Sequence, residues 1–431
     1  MAVAGTTSGK YLRPAEEIPV LGAWDVVVCG GGPAGCAAAY ASARRGAKTL
    51  LVECGGSPGG APVTQGVWPI LSTNGVDFQG VWHIWARELR RLGGIAGLVR
   101  DTRHGGNWYR GTVDPEKVKF AWESLLDAVG AEVLYLAVVT GAIVEDGAVR
   151  GVIVETKGGP YVLRAERIVD ATGDGDFCAR AGVAWEQGLN GAPWTQAVSL
   201  NGWYGGTDDA VPEWKAAPGL CRVPTGLQRV LCVNPLDPFD LTRVMREGRR
   251  EILRRFEARK VEKHEAGLYL GGIADHPGVR ASRRIRGLAA ATADDAWNFR
   301  HYADGIAKCS WEIDIHLPDR EKGKGVEFAS SEYAERLKRA AAGEWFDIRY
   351  GCLVADGVDG LLVAGRCLSC DAVAQSCLRI QQTCMATGEA AGLAAAKSLS
   401  DGVAPAALDI GGLVRELETV RGVEPAFETL K

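Results

Sequence analysis

Apolar positions change their period several times along the chain, and each change marks out an element. Val26-Val27-Val28 is a short β-branched run of the kind buried on both faces of a parallel sheet. The following stretch, PAGCAAAYASARRG, predicts a helix that opens at Pro33 and closes with Arg44 and Arg45 near its negative pole and Gly46 just beyond. Thr49 to Val52 supplies a second strand, and the right-handed crossover of such a βαβ unit sets its two strands side by side. From about residue 61 to 113 the pattern is tryptophan-rich and reads as poor in strands. Its clearest element is GVWHIWARELRRLGG, a helix with Val81, Ile84, Trp85, Leu89 and Leu92 on one face. Asp114 and Pro115 predict the cap and first turn of another helix, carrying Val118, Trp122, Leu125 and Val129 as far as Gly130. Alternation then returns, predicting a small meander that turns at Asp146-Gly147 and Gly158-Gly159, followed by a sheet strand at Ile168 to Ala171.

The rest of the chain divides in two. Residues 176–345 mix Trp-, Gly- and Pro-rich loops with a charged amphipathic helix expected near 241–265, whose apolar face carries Met245, Ile252 and Phe256. Most of the thirteen tryptophans read as core, and Trp203-Tyr204, inside a glycine-rich stretch, is the first candidate for an exposed aromatic pair. Near the end, VDGLLVAGRCLS predicts a strand meeting a glycine at a sheet edge. TCMATGEAAGLAAAKSL predicts a small-residue helix, in which Gly388 and Gly392 would let another backbone approach closely. This organisation is α/β: an N-terminal arm (1–23), a first nucleotide-type part (24–175), a substrate-side domain (176–345) and a returning part (346–431).

Composition narrows the partners. With 49 basic and 53 acidic residues in 431, the net charge of −4 points away from nucleic acid and anionic membrane surfaces, toward a small molecule. Twelve cysteines lack the regular spacing of a secreted scaffold, no basic-then-apolar leader opens the chain, and no run of about 18 apolar residues occurs. A reduced, cytoplasmic protein with no membrane span is expected.

The strongest motif is Gly30-x-Gly32-x-x-Gly35, lying between a strand and a helix, with Glu53 eighteen residues beyond Gly35 at the end of the second strand. Gly30 permits the tight turn, Gly32 lets backbone reach a pyrophosphate, and Gly35 brings helix and strand together. Pro33 and Ala34 open the helix, whose first N–H groups favour an anion. Glu53 can accept hydrogen bonds from a ribose diol and would repel a 2′-phosphate. NAD and FAD share this grip, so the fingerprint alone leaves the choice open.

Further close-approach segments bear on it: GSPGGAP around Gly60, IVDATGDGDF with Thr172 and Gly173, and LLVAGRCLS with Gly365 and Arg366. Together with GVRASRRIRG, WEIDIHLP and RIQQTCMATGEAAG, these motifs resemble the FAD-dependent oxidoreductases related to the fumarate reductase and succinate dehydrogenase flavoproteins, over residues 24 to about 400. The resemblance implies a noncontiguous Rossmann-like FAD-binding domain of the glutathione-reductase type, with an α+β substrate domain inserted. It implies that Gly30, Gly32, Gly35 and Glu53 hold the ADP half, that Val139 borders adenine, and that Thr172 and Gly173 lie by the pyrophosphate. Gly365 and Arg366 would lie near the ribityl chain. The turn at Gln381, Gln382 and Thr383 would set a helix N-terminus by the flavin pyrimidine. Two departures stand out: Ala372-Val373 replaces an expected His-Glu pair, and Ala281 an expected acid before SRR. None of the six histidines lies in the segment directly after Gly59-Gly60, where related dehydrogenases attach flavin covalently, so dissociable, noncovalent FAD is expected.

The expected activity is hydride transfer between FAD and a small-molecule CH–OH or CH–CH group, on a sugar or hydroxy compound for example. Since no second nucleotide fingerprint is present, the second acceptor would be oxygen, a quinone or a protein carrier, or a nicotinamide that docks transiently without a Rossmann unit of its own. His316 is the candidate base, with Asp314 two residues earlier on the same side; Arg379 and Arg284, with Arg283 behind them, are candidates to bind an anion or the reduced ring. Two alternatives stand beside this reading: a thiol-disulfide reductase using Cys367 and Cys370, and a noncatalytic FAD-binding redox sensor. Cys370, Cys377 and Cys384 recur every seven residues, which would instead line one packed face of a helix. No metal site is expected.

Overall fold

The computed structural model describes residues 15–101, 108–188, 195–206, 215–217, 220–223, 233–262, 267–316 and 330–422. Its centre is a seven-stranded sheet. Val20–Cys29 runs parallel to Thr49–Val52, pairing Val26 with Thr49 and Cys29 with Val52, and Glu132–Leu134 adds a parallel strand outside them. On the other side Val20–Cys29 pairs parallel with Gly159–Asp170, a long strand shared between two partners. Its first half joins the antiparallel meander Val138–Glu145 and Ala148–Thr156. Its last residues pair with Leu361–Val363, so that a strand from late in the chain completes the sheet beside Asp170.

The parallel strands are apolar along their whole length because both faces are covered: Val26 to Val28, Leu50, Leu51, Ile168, Val169, Leu361 and Leu362 are all buried. Helix Pro33–Arg44 fills one face, with Arg45 as its C-cap and Gly46 at φ +96°, a value that suits glycine. Against it lies helix Gln381–Ser400. A Cβ placed on Gly388 or Gly392 would strike the carbonyl oxygen of Ala34 or Ala38, so the two helices touch backbone to backbone where close approach was expected.

Three local expectations are corrected. The region 61–113 does contain its helix, Val81–Arg91, with Val81, Trp82, Trp85 and Leu89 buried and Trp85 stacked 5.9 Å from Trp122. It also contains a three-stranded antiparallel sheet, Pro69–Ser72, Trp108–Val113 and Ile95–Asp101, whose alternation is broken by a register shift between Ala96 and Val99. Trp203 and Tyr204 are not an exposed loop pair: they lie on strand Gly202–Gly205, with Trp203 5.1 Å from Trp68 and Tyr204 buried against Phe256. Cys370, Cys377 and Cys384 do not share a helix. Ala372–Leu378 and Gln381–Ser400 are separate helices broken at Arg379-Ile380, and Cys370 precedes both.

The long charged helix is Pro238–Glu262: it packs Ile252 and Phe256 onto the strand pair Gly202–Gly205 and Tyr269–Ile273, Val244 against Val198, Val233 and Val279, and Gly248 against Leu200. These contacts form small apolar clusters of their own between Val198 and Val279. By contrast Ile285, Ala291, Ile306, Cys309, Trp311 and Ile313 belong to the core of the main sheet, and Gly305–Cys309 pairs with Phe346–Arg349. The segment ending at His316 is therefore anchored on the nucleotide-type core and faces the small satellite unit.

Candidate active site

The fingerprint turn is shaped by what its glycines exclude. Gly30 sits at φ +100°, and a Cβ there would fall 2.6 Å from the Ala171 carbonyl oxygen. Gly35 has no room either, since its Cβ would meet the Gly30 carbonyl; Gly35 is a packing position, away from the cavity wall. Gly32 is different: nothing lies within 4 Å of its ideal Cβ, so its backbone opens on free space at the N-terminus of helix Pro33–Arg44. That space is a cavity of about 380 Å³ lined by Gly30, Gly32, Pro33, Ala34, Glu53, Gly60, Val139, Thr172, Gly173, Gly365 and Arg366. A pyrophosphate-sized anion can therefore meet bare N–H groups there, as the fingerprint requires.

Glu53 is buried and held by backbone. Its Oε2 accepts from the Gly31 N–H and its Oε1 from the Gly55 N–H, both at 2.6 Å, which aims the carboxylate into the cavity and leaves lone pairs for a diol. Gly60, at φ +58°, packs its Cα face against Gly32 and Pro33. Asp170, which sequence reasoning passed over, secures the next turn: Oδ1 accepts from the Thr172 N–H and hydroxyl, Oδ2 from the Cys178 N–H. Burial pushes this carboxyl above the usual range, and those hydrogen bonds oppose the shift. Its signal was available, an acid ending the strand in IVDATG. Arg366 donates to the Val279 carbonyl at 2.7 Å and lies 3.3 Å from Asp174.

A second cavity, of about 400 Å³, adjoins the first, and Ala61, Gln65, Val279, Arg366, Arg379 and Gln381 line both. Here the structure brings three sequence candidates together. Asp314 lies 2.9 Å from His316 Nε2 through Oδ1 and accepts from Arg379 Nη2 at 2.7 Å through Oδ2. Burial alone would raise the Asp314 carboxyl, but the His316 hydrogen bond and the charges of Arg379 and Arg280 outweigh it and hold the group down to about 2. A carboxylate only accepts, so Nε2 carries the hydrogen and Nδ1 is left as the basic nitrogen. The backbone fixes the histidine as well: its N–H reaches Gln196 Oε1 and its carbonyl accepts from Ala197.

The helix beginning at Gln381 points its first turn at the junction of the cavities, and the N–H groups of Gln381, Gln382 and Thr383 have no intrahelical acceptor. Gln381 Oε1 and Arg379 Nε are buried without a partner in the protein, as expected beside a site that holds a polar group. Gln382 lines the second cavity and donates to the Leu71 carbonyl, whereas the Thr383 side chain faces Cys309 and lines neither cavity. Arg284 does not join the cluster. It donates to the Gly188 carbonyl and lies 3.6 Å from Glu186, because its strand pairs with Trp185–Gln187; Arg283 binds Asp176. Cys367 and Cys370 are buried free thiols, each donating to a nearby backbone carbonyl, and burial pushes both away from the thiolate form. Arg110, Asn201, Arg280 and Glu312 complete the second cavity; only Glu312, alternating with Asp314 and His316, carried a sequence signal.

A family model described as FAD dependent oxidoreductase matches residues 25–217 and 204–417. A digeranylgeranylglycerophospholipid reductase of Methanoculleus marisnigri is 31% identical over 169 residues, covering 37% of this chain and 41% of that protein. A thiamine thiazole synthase of Aeropyrum pernix is 35% identical over 160 residues, covering 35% of this chain and 54% of that one. The chain thus spans about half the length of the curated relatives it matches or less. Among solved structures, a geranylgeranyl bacteriochlorophyll reductase-like protein of Thermoplasma acidophilum aligns over 92% of this chain and 83% of its own, at 13% identity and a TM-score of 0.45. The myxobacterial chondrochloren halogenase CndH aligns over 92% and 78%, at 14% identity and 0.46.

Proposed function

Because the chain belongs to the FAD dependent oxidoreductase family, we propose that it exchanges hydride between dissociable, noncovalently held FAD and a small-molecule CH–OH or CH–CH group in the second cavity. The residues that would hold FAD are Gly30, Gly32, Pro33, Ala34, Glu53, Gly60, Val139, Thr172, Gly173, Gly365 and Arg366, with the helix N-terminus at Gln381–Thr383 at the far end. Open space at Gly32 and the unpartnered Gln381 Oε1 support that fit. The arrangement is read as the glutathione-reductase type with residues 176–345 as the inserted substrate unit. When bound, FAD supplies a two-electron acceptor for hydride.

One observation carries the reading: Asp314 ties His316 and Arg379 together on the wall of the cavity that adjoins the fingerprint. In this reading His316 takes the proton from the substrate oxygen or carbon at Nδ1, while Asp314 orients the ring through Nε2 and stabilises the imidazolium that forms. Arg379 anchors Asp314 and lends positive charge to the junction of the cavities. Gln65, Ser199, Asn201 and Gln381 offer hydrogen bonds along the wall, which favours a hydroxylated substrate such as a sugar or a hydroxy acid. No described helix is long and apolar enough to cross a membrane.

The test is anaerobic bleaching of the yellow holoprotein across sugars and hydroxy acids, followed by His316→Ala on any hit. Loss of a general base is expected to slow reduction by about 10²- to 10⁴-fold. An unchanged rate in that variant removes the base assignment.

A further inference from the structure

Two successive glutamines open the helix Gln381–Ser400, and both lean on one run of backbone. Gln381 Nε2 donates to the carbonyls of Val67 at 3.0 Å and Pro69 at 3.2 Å, and Gln382 Nε2 to that of Leu71. Carbonyls two apart on an extended chain point the same way, so residues 67, 69 and 71 make a row of acceptors that takes up these amide hydrogens. The row fixes which way the Gln381 amide faces. Its nitrogen has two hydrogens and a backbone carbonyl only accepts, so a flipped amide would set oxygen against two oxygens. Gln381 Oε1 is thereby held as an acceptor, buried and with no donor among the described residues.

Gln381 lines both cavities, whereas Gln382 lines only the second and the Thr383 side chain faces Cys309. Arg379 also lines both and holds the opposite kind of atom there. Its Nη2 is engaged with Asp314, but its Nε–H is buried with no acceptor among the described residues. The N–H groups of the first helical turn are further donors. The junction of the cavities thus presents one fixed acceptor together with several fixed donors. We propose that Gln381 is a cofactor-binding residue whose Oε1 accepts the N3–H of the flavin ring. This rests on FAD lying in the first cavity with its ring at the junction, and not on the hydride reading. Only the pyrimidine edge of an oxidised flavin ring carries an N–H, and a carbonyl oxygen flanks it on each side; N5 and the carbonyl beside it only accept. Matching donors to acceptors assigns that N–H to Gln381 and the flanking oxygens to Arg379 and the helix. A buried acceptor left unpaired is more costly than an ordinary hydrogen bond is favourable, so Gln381 selects the N–H edge and fixes the orientation of the ring. N3–H is present in both oxidation states, so the contact holds oxidised and reduced flavin alike.

The test crosses two proteins with two cofactors and needs no substrate. Full-chain apoprotein, wild type and Gln381→Met, is titrated with FAD and with its N3-methyl analogue, which lacks the hydrogen, and Kd is read from the flavin absorbance change. In wild type, methylation is expected to weaken binding about tenfold or more, and Gln381→Met to weaken FAD itself about tenfold. In the variant, methylation should weaken binding by no more than about a further threefold, because the acceptor it offends is gone. Dithionite-reduced FAD should lose affinity for the variant by the same factor as oxidised FAD, within about threefold. Wild type that binds both cofactors alike, or an equal methylation penalty in both proteins, overturns the proposal. So does an unchanged FAD Kd in Gln381→Met, which gives the acceptor to a donor on the substrate, and so does a loss confined to reduced flavin, which moves the contact to N5. Should the variant fail to fold, the wild-type comparison of the two cofactors still decides. Apoprotein that takes up neither cofactor removes the FAD placement and the proposal together, whereas normal FAD uptake with equal penalties removes the proposal alone.

Discussion

Replacing Asp314 by asparagine removes one charge while keeping the shape of the side chain, and its cost can be worked from the environment. The carboxyl is held from the ordinary 3.8 down to about 2, with the side chain 24% exposed. A shift of just under two pKa units, at about 1.4 kcal/mol each, makes the ionised form worth about 2 kcal/mol to the folded protein at neutral pH. The sign follows from the direction: a carboxyl whose folded value is depressed contributes fully above its unfolded value and loses that contribution as pH falls through the folded one. Asp314→Asn should therefore be about 2 kcal/mol less stable than wild type from pH 7 to about pH 5, with the difference shrinking below about pH 4. The arginine left behind adds to the loss, since Arg379 is only 12% exposed and its Nε already lacks a partner. Urea unfolding of both holoproteins, followed by tryptophan fluorescence at several pH values, reads this directly. A difference that stays constant down to about pH 3, or one indistinguishable from zero at pH 7, would refute the claim that Asp314 is the anion on which this cluster is built.

The remaining predictions concern the cofactor grip and the thiols. Gly32→Ala should fold normally, because nothing lies within 4 Å of the new Cβ, yet should weaken FAD binding by about tenfold or more by occupying the room a pyrophosphate needs; flavin titration of the apoprotein with an unchanged Kd would contradict this. Cys367→Ser combined with Cys370→Ser should leave flavin reduction within about twofold, since both thiols are buried and burial disfavours their thiolates. A tenfold fall in turnover, with the fold intact by circular dichroism, would restore the disulfide reading.

Legibility in the sequence tracked how local each interaction is. Gly30, Gly32, Gly35 and Glu53 were readable because turn, helix start and acid lie within one βαβ unit, where spacing dictates geometry. Asp314 and His316 were readable as a pair because residues two apart on an extended segment share a side. Glu312 obeys the same rule and was missed only because a lone motif histidine drew the argument. The strands of region 61–113 were hidden by the shift at Ala96/Val99, which breaks the period that would announce them. Trp203 and Tyr204 looked exposed because glycine-rich sequence reads as loop, whereas helix Pro238–Glu262 and Trp68 cover them in the fold.

What the sequence by itself determined was a dinucleotide grip, the strands and helices that carry it, and the residue types able to move a proton. Tertiary structure alone decided which of them meet. Arg379 reaches Asp314 across 65 positions of chain, and Arg110, Asn201 and Arg280 arrive at the same cavity from separate elements. Arg284 carries the same charge only a few residues from Arg280, yet strand pairing turns it to Gly188 and Glu186. The physical reason is that a fingerprint is set by short-range backbone geometry, while a reacting cavity is set by where long-range packing brings the ends of distant segments together.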